Sequence, residues 1–295
     1  MTPTVTGLSP ALGAEVTDVD LNMVTESLAT EIQGLLDEHH VLFFPGQHLD
    51  PDAHVRFGRH FGPLEGHPNL AGKMSASGME LPNEVFELAA SKGGIADEWH
   101  TDLTFLPSPS VMSILNMVRC PDVGGDTCWS NLHAVYNALS EPMQELCSGL
   151  TALHDALPHN KPEETTIHPM VRVHPVSGRP VLYVNEHFTR RIVELGAGES
   201  NALLSYLVNL VKEPRFTVRY HWTEGTVAMW DNRCTQHFVV NDFEGERIIQ
   251  RVTIMGDEPV GEPPRWQPWT EQAKLRRAAT SQADRQLRTH LSSSG

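Results

Sequence analysis

Residues 226–256 read "TVAMWDNRCTQHFVVNDFEGERIIQRVTIMG". An apolar run closes on "CTQH", "NDFEGE" reads as a turn, and "RIIQRVTIMG" resumes as a strand. Short strands of this kind recur: "SVMSILNMV", "VLYVNE" and "FTVRYHW". Separated by turns, they predict a two-sheet β structure with helices packed outside, an α+β chain that is mainly β. Arg247 and Arg251 stand four apart, so on one strand they share a face. If that strand pairs antiparallel beside the one carrying His237, both guanidiniums point into the same chamber.

Helices are marked by their ends. In "TESLATEIQGLLDEHH", Leu28, Ile32, Leu35 and Leu36 fall at helical spacing after a cap at Thr25. "VLFF" then reads as a buried strand stopped at Pro45-Gly46. "DPDAHVRFGRHFG" predicts a helix capped by Asp50 with Pro51 at its first position. "SEPMQELCSGL" and "GESNALLSYLVNLVK" supply two more. From Asn69 to Gly94 the periodicity fades into a long loop of the kind that serves as a lid. Residues 1–257 are expected to form one domain, with 258–295 a proline-rich, then basic, surface tail or subunit-packing arm.

Composition narrows the function classes. The net charge of −15 argues against nucleic acid as a partner. No apolar run is long enough to span a membrane, and the N-terminus lacks the pattern of a signal peptide. Four cysteines without a CxxC pair argue against a disulfide framework, so a cytoplasmic setting is expected.

"DEWHTDLTF" (97–105) carries His100 and Asp102 two apart. A lone His-x-Asp is weak evidence, since 16 histidines supply about one by chance. The chain holds its own decoy, His48-Leu49-Asp50, where Asp50 is explained as a helix cap. His100 and Asp102 have no such role; with "LTF" continuing as a strand, both side chains would point to one face. His237 completes two histidines and one carboxylate, the set that leaves open positions on ferrous iron. "GGDTCW" (124–129) adds a glycine-permitted turn and Thr127, whose hydroxyl can donate to a carboxylate. Arginine forks match carboxylate and sulfonate groups.

Taken in order, "WHTDLTF", "GGDTCW", "HPMVRVHPVSG", "LYVNEHFTRRIV", "WDNRCTQH" and "RIIQRVTIMGD" resemble the iron(II)/2-oxoglutarate-dependent dioxygenases, in the taurine dioxygenase branch (the TauD/TfdA family). The resemblance implies a double-stranded β-helix, or jelly-roll, core. It implies Fe(II) on His100, Asp102 and His237, 2-oxoglutarate held by Arg247 and Thr127, and O2 as oxidant. It places a substrate anion at Arg251 and His67, with Phe105 and Phe188 beside it. The activity implied is hydroxylation of a small sulfonate such as taurine next to sulfur, releasing sulfite and an aldehyde, with succinate and CO2 from the cosubstrate. Alkylsulfatase-type or other organic-acid oxidation in the same family is the alternative, and a non-enzymatic anion-binding jelly-roll a remoter one. The expected partners are a small anionic substrate and further copies of the chain in a homo-oligomer. "LYVNEHFTRRIV" and "ESNALLSYL" look closer to the taurine enzymes than to the alkyl-sulfate ones. Two positions depart from the taurine pattern: Leu70 where it has tyrosine, and Ala96 where it has asparagine. The segment after His154 is also shorter than in the taurine enzymes.

Overall fold

The strand Val41–Phe44 shows how the layers are set. All four residues are buried. Val41 and Phe43 join one apolar cluster, while Leu42 and Phe44 join another. Successive strand side chains face opposite ways, so this strand is covered on both sides. The structure, a computed structural model, describes residues 2–65, 76, 81–92, 96–274 and 280–282.

Val41–Phe44 lies in a seven-stranded sheet, in the order Thr4–Gly7, Ala14–Thr17, Val41–Phe44, Val227–Asp231, Met112–Arg119, Ile248–Ile254, Phe86–Ala89. Facing it is a three-stranded sheet with Thr127–Asn131 between Thr217–Tyr220 and Thr235–Val239. Aromatic rings fill the space between the two. Phe43 stacks on Tyr220 at 3.8 Å, and Trp129 meets Phe43 at 5.2 Å and Trp230 at 5.7 Å. On the outer face of the large sheet, Ile32, Leu36, Val55 and Phe57 of two helices pack on Leu42, Ile114, Met229 and Val252. The result is a jelly-roll core with flanking helices, mainly β.

Those helices, Glu26–His39 and Pro51–Arg59, begin where their caps predict. Thr25 accepts the Leu28 N–H at 3.3 Å, and Asp50 accepts that of Ala53 at 2.6 Å with Pro51 just inside. The decoy His48-Leu49-Asp50 is thus a cap.

One expectation is corrected. Ile248–Ile254 does not pair with the strand carrying His237; its neighbours are Met112–Arg119 and Phe86–Ala89. In this fold the chain crosses between sheets at each turn, so Val227–Asp231, Thr235–Val239 and Ile248–Ile254 alternate large, small, large. Sequence neighbours therefore face each other across the barrel. Arg251 reaches the His237 side through the interior, not along a ladder.

Beyond Asp257 the described chain lies on its own body. Val260 carbonyl accepts from Val173, and the Arg265 and Trp269 amides donate to Gly149 and Val193. Among the described residues no helix is long and apolar enough to cross a membrane.

Candidate active site

His100 and Asp102 do not lie on one strand as expected. His100 forms an isolated bridge with His237, each amide donating to the other's carbonyl at 3.0 and 2.8 Å. The chain then turns, with Leu103 in the left-handed region at φ 56°. The turn still brings both side chains to one point: His100 Nε2 stands 3.8 Å from Asp102 Oδ1. The His100 and His237 rings are 4.2 Å apart. Ligand atoms of all three residues lie within 4.8 Å of one another, and all three are buried.

The electrostatics suit a cation. The His100 Nδ1–H donates to the Glu98 carbonyl at 2.7 Å, which fixes the tautomer and leaves the Nε2 lone pair facing Asp102. Burial lowers the pKa of both imidazoles, that of His237 strongly, so both rings are biased to the neutral, ligating form. The His237 Nδ1 is buried with no hydrogen-bond partner among the described residues. Burial alone would push the Asp102 carboxyl up, but Arg251, the two imidazoles and the Ser113 hydroxyl overcome it and hold it well below the usual range. Oδ2 accepts from Ser113 at 2.8 Å and Asn232 at 3.3 Å; Oδ1 meets Arg251 Nη1 at 2.5 Å. Two neutral imidazoles and one ionised carboxylate on a buried face fit Fe(II) with positions left open.

A second group, His174, Asp231 and Cys234, is equally compact. Its chemistry differs. Asp231 accepts from His174 Nε2–H at 3.0 Å and from Arg233 through both carboxylate oxygens, while His174 Nδ1 accepts from the Ser177 amide. Both ring nitrogens of His174 and both carboxylate oxygens of Asp231 are engaged, so this is a structural clamp. Asp231→Ala would strand the largely buried Arg233 charge and should destabilise the fold by about 3 kcal/mol, read by thermal or urea unfolding.

Arg247 is 5% exposed and has no carboxylate within ion-pair distance among the described residues. Its Nε–H donates to the Gly125 carbonyl at 3.1 Å and its Nη2 to Thr127 Oγ1 at 3.2 Å. Burial pulls its pKa down to about 10, so it stays charged at neutral pH. Trp222 Nε1–H also donates to Thr127 Oγ1, at 2.9 Å. With two donors on that oxygen, the Thr127 proton is left to donate elsewhere. Gly124 and Gly125 make this corner at φ 78° and 68°, and a Cβ on Gly124 would lie 2.7 Å from the Asp242 carbonyl oxygen.

Phe105 and Phe188 face each other at 5.3 Å, and the His100 ring is 6.5 Å from Phe188. Leu103, Leu106 and Ala156 complete their cluster. His67 and Leu70 lie outside the described residues, as does half of the segment 69–94, whose described half is not all loop as expected but carries the strand Phe86–Ala89. Ser113, Asn232 and Trp222 are additions that sequence reading missed. The only local signal was a hydroxyl or amide inside an otherwise apolar strand end.

A family model described as "Taurine catabolism dioxygenase TauD, TfdA family" matches residues 4–253. An alpha-ketoglutarate-dependent sulfate ester dioxygenase of Pseudomonas putida is 37% identical over 273 residues, covering 85% of this chain and 88% of that protein. An alkylsulfatase of Acinetobacter baylyi is 34% identical over 277 residues, covering 86% and 85%. The crystal structure of a taurine dioxygenase from Burkholderia xenovorans matches with a TM-score of 0.79 and 36% identity, over 90% of this chain and 94% of that one. Sulfate-ester and taurine enzymes thus stand at comparable distances, and the family match takes in every candidate site residue from His67 to Arg251. The chain belongs to the TauD, TfdA family and is an alpha-ketoglutarate-dependent dioxygenase, an oxidoreductase of the class that uses Fe(II), 2-oxoglutarate and O2.

Proposed function

We propose that the chain hydroxylates the carbon next to the sulfur oxyanion head of a small organic substrate: a sulfonate such as taurine, or a sulfate ester. His100, Asp102 and His237 would hold Fe(II). Fe(II) held there would supply the C–H oxidation, with 2-oxoglutarate and O2 as co-reactants and succinate and CO2 as their products. Arg247 and the Thr127 hydroxyl receive the far carboxylate of 2-oxoglutarate. Arg251 receives the substrate head. Phe105 and Phe188 exclude water around the carbon that reacts, and fixing that carbon is what the anchor contributes to rate.

The observation that carries this reading is the place of Arg251. Its side chain is 15% exposed, touches the triad carboxylate at 2.5 Å and lies over the Phe86 ring at 5.4 Å, while the Phe188 ring stands 6.5 Å from that of His100 in the same triad. A charge-assisted fork beside an apolar wall suits a monoanion with a hydrocarbon body. From a sulfonate, the hydroxylated carbon loses its C–S bond to give sulfite and an aldehyde. From a sulfate ester, the same hydroxylation breaks a C–O bond and gives sulfate and an aldehyde.

The sulfate-ester reading has its own support. Ala96 offers no amide where the taurine pattern has asparagine, and relatives at 37% and 34% identity are sulfate-ester enzymes.

The test is a panel of sulfonates, alkyl sulfates and aryloxyalkanoates, assayed for succinate, sulfite, sulfate and phenol. Sulfite or sulfate is expected in step with substrate-stimulated succinate. Succinate stimulated only by aryloxyalkanoates, with phenol as product, would move the substrate class to carboxylates.

A further inference from the structure

Phe105 and Phe188 are held by a buried polar socket that has no part in the chemistry described so far. At its centre is the Thr104 hydroxyl, fully buried and two residues beyond the triad carboxylate. Asn185 Nδ2–H donates to Thr104 Oγ1 at 3.0 Å, and His154 Nδ1 meets the same oxygen at 3.0 Å. The other end of the Asn185 amide serves the second ring: Oδ1 accepts the Phe188 N–H at 2.7 Å. One side chain thus ties the segment carrying Phe105 to the backbone carrying Phe188.

The carbonyls are tied as well. Those of Thr104 and Leu106 share the His168 Nε2–H at 2.9 and 3.1 Å, and that of Phe105 accepts from Thr166 Oγ1 at 2.7 Å. The Phe188 carbonyl accepts from the Asp155 amide at 3.0 Å. Thr104, His154, His168 and Asn185 are each no more than 2% exposed. Burial lowers the pKa of both imidazoles, that of His168 to about 4, so both rings stay neutral at physiological pH.

Four buried polar side chains are a demanding way to fill a core, since loss of any one strands its partners. Apolar packing would join the same layers without direction, whereas hydrogen bonds fix distance and angle. What they fix lies close to the metal ligands. Phe105 and Phe188 stand 5.3 Å apart, and Phe188 is 6.5 Å from the His100 ring.

We infer that Thr104 and Asn185 are positioning residues for the reaction: their hydrogen bond holds the Phe105–Phe188 pair at one spacing, and that spacing keeps the reacting carbon turned to the triad. Their role rests on the place of the two rings in the proposed function, not on which anionic head the substrate carries. With a slack wall the carbon leaves its position while the head stays on Arg251, so cosubstrate is consumed without product. The metal and 2-oxoglutarate are held by other side chains and keep their affinities.

The experiment compares Thr104→Val, which removes the hydroxyl at nearly constant shape, Thr104→Ser, which restores it, and Asn185→Leu. Each is assayed as the iron-loaded enzyme on the sulfonate, alkyl sulfate or aryloxyalkanoate that gives the native chain most product. The ratio of oxidised product to succinate should fall roughly two- to tenfold in Thr104→Val and Asn185→Leu, the range of one lost hydrogen bond. Co(II) affinity and the KM for 2-oxoglutarate should stay at native values, and Thr104→Ser should recover the ratio. A purely structural role would lower Tm alone. A native ratio in Thr104→Val, whatever its Tm, overturns the positioning role and leaves the proposed function standing. So does a fall in Co(II) affinity that matches the loss of product, because the effect would then run through Asp102. If Asn185→Leu fails to fold, the two Thr104 variants decide alone. Absence of product from every substrate in the native chain overturns the proposed function and the positioning role together.

Discussion

Replacing Asp102 with alanine is expected to remove metal binding and turnover together while the fold survives. The carboxylate is the only anionic donor in the triad, and a guanidinium stands 2.5 Å from it. Without the carboxylate, a divalent ion would meet two neutral imidazoles and an uncompensated Arg251. Loss of a mere outer partner of a metal ligand already weakens affinity about 10- to 100-fold, so loss of the ligand itself should exceed about 100-fold. The fold should survive at a cost in stability read by thermal unfolding, because Arg251 loses its carboxylate partner while Asn232 and Ser113 keep each other. Asn232 Nδ2–H still reaches Ser113 at 2.9 Å and Ser110 at 3.1 Å. Ser113→Ala supplies the graded control, keeping the carboxylate but freeing Oδ2 from a 2.8 Å bond; a loss within that 10- to 100-fold range is expected. Co(II) titration by absorbance measures both. Unchanged Co(II) affinity in Asp102→Ala would remove the triad from the mechanism.

What was legible in the sequence follows the range of the interactions involved. Helix ends were readable because a cap is a contact over three residues, as with Thr25 and Leu28 or Asp50 and Ala53. Val41–Phe44, Met112–Arg119, Val227–Asp231 and Ile248–Ile254 of the large sheet and Thr217–Tyr220 of the small one were readable from apolar runs, whereas Phe86–Ala89 lay in what read as a loop and Thr127–Asn131 in what read as a turn. Lys161–Pro169 was missed because "KPEETTIHP" carries two prolines, a lysine and two glutamates, poor material for a strand. It is held in a ladder by Thr151–Ala156 and stays exposed along its outer side, where charge and proline suit an edge. The strand expected after His100 failed for the opposite reason: Leu103 adopts a left-handed turn that no apolar pattern announces.

The site divides the same way. His100, Asp102, His237, Thr127, Arg247 and Arg251 stood out because their motifs are local and ordered. The groups that aim them did not, since Asn232 meets Asp102 across 130 residues and Trp222 meets Thr127 across 95. Strand pairing was equally hidden. Two arginines on one strand say which face they share, but only the crossing of the chain between sheets says what that face confronts.

The proposed function gives the two arginines different tasks, and the second large effect tests that division. Arg247→Ala should raise the KM for 2-oxoglutarate by roughly 10- to 150-fold, the equivalent of about 1.5–3 kcal/mol for a hydrogen-bonded charge. The unliganded protein should lose little stability, because a buried guanidinium without a carboxylate partner is itself unfavourable. What disappears is the stabilisation that 2-oxoglutarate confers, read as the ligand-induced shift in Tm. Arg251→Ala should behave differently. Its removal frees Asp102 Oδ1, so metal and 2-oxoglutarate binding persist, while substrate loses its anchor. Succinate should then form without a matching yield of oxidised product, and the substrate KM should rise by a similar 10- to 150-fold for one charge-assisted contact. The two variants are thus told apart by which ligand's KM moves and by the ratio of succinate to product. Identical defects in both would mean that the two guanidiniums serve one anion, and the division between cosubstrate and substrate would fall.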